Sequence, residues 1–100
     1  MILKPYRRSL LPNWERVTTI YDVISNITKY LTNYSDAPQL DADRIVLHAL
    51  DQREPSYLLA HAQDEFTTTQ RQKIMLMADK RKTGMPLAYI LGEADFYSRT

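Results

Sequence analysis

The sequence predicts an all-α fold: a small bundle of about five helices followed by a short extended C-terminal segment. Three observations lead there. Apolar residues recur at intervals of three and four along most of the chain, the period of a helix face. The joints between these stretches are short, which suits neighbouring helices packed antiparallel. Capping and turn residues stand at those joints, and 100 residues leave room for one domain.

Met1 to Arg16 carries Lys4, Arg7, Arg8 and Arg16 against the single acid Glu15, with Pro5 and Pro12 interrupting any long helix. Residues 1–17 therefore read as a basic N-terminal arm, with Trp14 packing back on the body. Leu10-Leu11 is too short for the apolar centre of a secretory signal, although a basic, acid-poor start also suits a mitochondrial transit peptide.

From Thr18 or Thr19 the helical period begins. Ile20, Val23, Ile24, Ile27 and Leu31 form one face, with Asp22, Asn26 and Lys29 on the other. Ser35-Asp36-Ala37-Pro38 is a turn cluster that ends this helix near Asn33 or Tyr34. The second helix is expected to open at Asp41, whose carboxylate can accept first-turn amides as a cap. Its stripe is Ala42, Ile45, Val46, Ala49 and Leu50. Pro55 suits the first position of a short third helix to His61, which buries Tyr57, Leu58 and Leu59 in some combination.

Thr67 and Gln70 have the spacing of a capping box, with Phe66 placed as a hydrophobic staple. The fourth helix runs through Ile74, Met77 and Ala78 to Lys82. Lys80, Arg81 and Lys82 are favourable at its negative end, and Gly84 is the left-handed cap. Pro86 starts a fifth helix through Leu87 and Ile90, which Gly92 closes by permitting a sharp exit. Tyr89 is expected to bury its ring and keep a polar tip. Asp95 to Arg99 reads as extended, with Phe96 anchoring the departing strand.

Composition excludes several chemistries. The chain has no cysteine, hence no thiolate nucleophile, disulfide or cysteine zinc site. His48 and His61 are too few for a self-contained histidine metal site, and no Ser/His/Asp spacing accompanies either. Gly84 and Gly92 are the two glycines, so a three-glycine dinucleotide loop is absent. No apolar run approaches a bilayer span. Asp41 with Asp43, and Asp64 with Glu65, are too close in sequence to face each other on a helix as acid/base pairs. Arg71, Lys73 and Lys80 to Lys82 form a basic cluster, but a net charge of +1 gives no general affinity for polyanions. Met75, Met77 and Met85 suit either a core or an adaptable docking surface.

One stretch is more specific. Arg81-Lys82-Thr83-Gly84-Met85-Pro86-Leu87-Ala88-Tyr89-Ile90-Leu91-Gly92-Glu93-Ala94-Asp95-Phe96 follows R-x-x-G-x-P-x-x-Y-I-x-G-x-x-x-F. Upstream, Leu40 to Leu50 is similar to L-D-A-E-x-L-L-x-H-x-L, and Phe66 to Gln70 to L-T-x-x-Q. In this order and spacing the segments resemble the helical N-terminal domain of the release-factor glutamine methyltransferase (HemK/PrmC) family, over about residues 18 to 98. Asp43 and Asp95 replace the usual glutamates, and Asp51 stands where the family often has glycine. The arm before Val17 has no counterpart.

The resemblance implies a recognition domain over 18–93 and, at 94–100, the start of a linker hairpin toward a C-terminal methyltransferase domain. Family members use S-adenosylmethionine to methylate the GGQ glutamine of class I peptide chain release factors. Their cofactor loop and N-P-P-Y motif lie in the domain that follows and do not occur here. No catalytic, cofactor or metal residue therefore transfers to this chain, which is expected to be inactive alone. The implied partners are a release factor and the methyltransferase domain, in the cytoplasm, with no membrane or nucleic acid. Asp41, Gly84, Pro86, Tyr89, Gly92 and Phe96 are expected to be structural. Arg81 is divided between a structural role and a partner contact. A freestanding helical adaptor for a protein or nucleic acid is the alternative.

Overall fold

The computed structural model describes residues 14–98, with side chains described at residue 14 and over residues 16–92. The signal, transit and arm readings for residues 1–13 lie outside the described residues. A turn of 3-10 helix, Trp14–Arg16, leads into α1 (Ile20–Leu31), α2 (Pro38–Leu50), α3 (Ser56–Ala60), α4 (Thr68–Lys82) and α5 (Leu87–Ser98). The architecture is all-α, as the periodicity requires.

The core follows from the stripes. Val23, Ile27 and Leu31 of α1 are fully buried against Ala42, Ile45 and Val46 of α2 and Ile74 and Ala78 of α4. α1 packs chiefly on α2, α4 lies against both, and α5 adds Ile90 to the same core. Met75 and Met77 are buried, and Met85 packs against the core, so the methionines fill space. Trp14 packs on the body as expected, under the Arg71 guanidinium at 5.9 Å.

Side-chain caps close two helix starts, of which the capping box of α4 was expected from the sequence. Thr19 Oγ1 accepts from the Asp22 amide at 3.1 Å. The Thr67–Gln70 capping box is complete: the Thr67 amide donates to Gln70 Oε1 at 2.9 Å, and the Gln70 amide to Thr67 Oγ1 at 3.1 Å. The loop before α4 also closes the start of α1, where the Ile20 and Tyr21 amides donate to the Asp64 and Ala62 carbonyls at 2.9 Å. Gly84 has φ +96° and leaves α4 in the left-handed region, as its cap role requires.

Three expectations are corrected. α2 opens at Pro38 rather than Asp41, because the fixed φ of proline suits a first turn; Asp41 is then an interior residue, not the cap. Gly92 does not close α5, which continues to Ser98, so 95–98 is helical rather than extended. One glycine inside a helix costs about 1 kcal/mol relative to alanine, too little to stop a helix that continues into Glu93 and Ala94. Tyr89 is exposed rather than buried, because Ile90, a rotation of about 100° further around α5, takes the inward position. In α3, where the sequence left the combination open, Leu58 is buried and Tyr57 packs against the core, while Leu59 faces outward. Phe96 lies on α5, and its side chain is outside the described set, as are the structures of Arg99 and Thr100.

Candidate functional site

Two aspartates on α2 define the two notable faces of the molecule. Asp41 lies in the first turn, near the favourable positive end of the helix, and is buried. Its Oδ2 accepts from Ser35 Oγ at 2.6 Å and from Arg81 Nε at 2.9 Å. Arg81 also donates through NH1 to the Met85 carbonyl at 3.2 Å, across the Gly84 turn. One guanidinium therefore joins the start of α2, the end of α4 and the approach to α5. Pro86 completes that approach, its carbonyl accepting the Tyr89 and Ile90 amides at 3.1 Å. With 20% and 12% of their side chains exposed, Arg81 and Asp41 form a largely sheltered pair.

The rest of the basic turn is engaged too. Lys82 Nζ lies 4.3 Å from the Tyr30 ring centre and 4.9 Å from that of Tyr34, a cation between two aromatic faces. Tyr30 donates to Asp79 Oδ1 at 2.5 Å; burial, reinforced by that carboxylate, pushes the phenol well above its usual range. Lys80 has a partner as well. Much of the basic last turn of α4 is thus spent on contacts within the chain.

Asp43, two residues beyond Asp41, faces a groove of about 530 Å³ between α1, the first half of α2 and α3. Ile24, Pro55, Leu58 and Leu59 supply its apolar wall, with Tyr21 at the rim. Ile24 belongs to the predicted core stripe of α1, yet it is half-buried because its outer side opens onto this groove. Desolvation raises the Asp43 carboxyl above its ordinary range. Sequence reasoning missed the groove; the one signal available was Leu58-Leu59, two adjacent leucines that a five-residue helix cannot both turn inward.

His61 stacks on Tyr57 with ring centres 4.0 Å apart and sets Nδ1 2.7 Å from Asp64 Oδ2. His48 is half-buried on α2 and engaged there. Among the described residues, no group of three or more His, Asp and Glu side chains is arranged to hold a metal ion. No described helix is long and apolar enough to cross a membrane.

Comparison with known proteins places this arrangement. Residues 22–92 match the family model described as the PrmC N-terminal domain. A release factor glutamine methyltransferase of Coxiella burnetii is 30% identical over 80 residues, covering 80% of this chain and 28% of the relative. The proteins of the same name from Yersinia pestis and Vibrio cholerae are 37% identical over 65 residues and 38% over 64. They are covered over 23% and 22% of their lengths, and 65% and 64% of this chain is matched. The chain thus spans about a quarter of the length of these relatives. No solved structure gives a significant match. The matched span takes in both α2 aspartates, Arg81 and the Gly84 turn, so the sheltered pair and all of the groove lining except Tyr21 lie within it. The chain belongs to the PrmC N-terminal domain family.

Proposed function

We propose that this chain is the recognition domain of an S-adenosylmethionine-dependent methyltransferase that modifies the GGQ glutamine of class I peptide chain release factors. In this reading residues 18–93 hold the release factor, residues 94–100 begin the linker to a catalytic domain, and the enzyme works in the cytoplasm. The observation that carries it is the family match over residues 22–92, with relatives named for release factor glutamine methylation. The packing supports a holding role: the motif residues Asp41, Arg81 and Gly84 are used to fix helices against one another. A rigid domain that orients a protein substrate lowers the entropic cost of bringing one amide to a distant reacting centre.

The test is calorimetry of the full chain with a class I release factor and, separately, with S-adenosylmethionine. Saturable binding of the release factor and none of the cofactor is expected. Failure to bind the release factor would overturn the reading, and saturable cofactor binding would move part of the active site into this chain. Affinity for RNA that falls steeply with added salt would favour a nucleic-acid adaptor instead.

A further inference from the structure

We propose that the groove between α1, α2 and α3 seats an amphipathic segment of the partner protein. That segment sets one large apolar side chain against Ile24, Leu58 and Leu59 and presents a lysine or arginine to Asp43. The proposal rests on the release-factor reading above and assigns its contact surface.

Three observations converge on it. Leu59 is 84% exposed and Tyr21 61% exposed, and both line the same groove. Single exposed apolar residues are ordinary, but a shared concave patch marks a contact surface. The volume of about 530 Å³ falls within the range of clefts that accept inserted groups. Walled by residues of α1, α2 and α3, it suits the apolar side of another helix turn.

Charge then specifies the occupant. Asp43 is half-buried with no hydrogen bond or ion pair among the described residues, whereas Asp41 has Arg81. An unpaired carboxylate partly withdrawn from water is complementary to an incoming cation, and covering it without one would add to its desolvation cost. Lys29 shares the lining, but it is exposed, so its charge stays hydrated and weighs less on the choice of partner.

The experiment measures affinity of the full chain for a class I release factor in four variants, with circular dichroism to confirm folding. Leu59→Asp and Asp43→Lys are each expected to weaken binding about tenfold or more. Asp43→Glu should stay within about threefold of the unaltered chain, because it keeps the carboxylate. Leu76→Asp, on an exposed apolar residue of α4 outside the groove, should change binding by less than about twofold. If the unaltered chain binds and both groove variants bind equally well, the groove assignment is overturned while the recognition role stands. Loss of binding in Leu76→Asp with no loss in Leu59→Asp would also overturn it, by moving the contact to α4. If the unaltered chain does not bind, the recognition role itself fails, and the groove proposal fails with it.

Discussion

Asp41 and Asp43 share a helix and differ by two positions, about 200° of rotation, and that angle separates their work. Asp41 turns into the seam between α2 and α4, where a guanidinium and a hydroxyl satisfy it. Asp43 turns toward α1 and α3, where apolar walls withdraw water and the exposed Lys29 of the same lining makes no ion pair with it. The difference teaches how to divide polar residues of a small bundle. A buried charge whose partners come from its own chain holds the fold, and a half-buried charge without them is available to another molecule.

The strongest way to break the comparison is at the paired side. Arg81→Ala leaves Asp41 sheltered without its cation and frees the Met85 carbonyl, so it is expected to cost about 2–3 kcal/mol of stability. Asp41→Ala should cost a similar amount. Chemical denaturation of both single variants and the double variant then tests the coupling: the double loss should be clearly smaller than the sum. Additive losses would mean that the pair does not act as a unit.

The two glycines sharpen the same side with opposite signs. Gly84→Ala places a Cβ at φ +96°, in the turn that Arg81 spans, and should destabilise by about 1–2 kcal/mol. Gly92 lies inside α5, where an added Cβ meets nothing within 4 Å, so Gly92→Ala should stabilise by up to about 1 kcal/mol. Thermal melts of the two variants should move in opposite directions. A loss of stability in Gly92→Ala would contradict the continuous α5.

How much of this was legible depended on the distance over which each feature is specified. The α1 stripe and the Thr67–Gln70 box are written in neighbouring residues, and the helices stand where those signals put them. Asp41 is different. An aspartate near a helix start reads locally as a cap, but its partner Arg81 is 40 residues away, and packing of α2 against α4 makes the contact. Gly92 misled for a related reason: glycine lowers helix propensity, yet residues on both sides continue α5. Asp51 shows the reverse. It takes φ 59° at the end of α2, the conformation for which glycine is favoured, so the resemblance in which glycine often stands there pointed to a real backbone requirement. The groove was least legible, since its walls come from three helices and its opening depends on how a short α3 is set against α1.

The smallest effect tests the unpaired side without any partner. Desolvation raises the folded-state pKa of Asp43, so protonation of this carboxyl favours the folded chain. Its contribution is therefore most favourable below the ordinary aspartate range, where the group is protonated in both folded and unfolded chains. That contribution is lost as pH rises through the raised folded value, and the charged form carries its full penalty at neutral pH. Asp43→Asn removes the charge at nearly constant size. It should stabilise the chain at pH 7 by about 0.5 kcal/mol or less, and the gain should vanish on acidification below the ordinary aspartate range. Denaturation midpoints of the two proteins across that pH interval give the comparison directly. The same substitution removes the carboxylate proposed to meet a partner's cation, so Asp43→Asn should bind a release factor more weakly while folding slightly better. A gain in stability accompanied by a loss of binding is the behaviour of a residue kept for contact; parallel losses of both would return Asp43 to the fold.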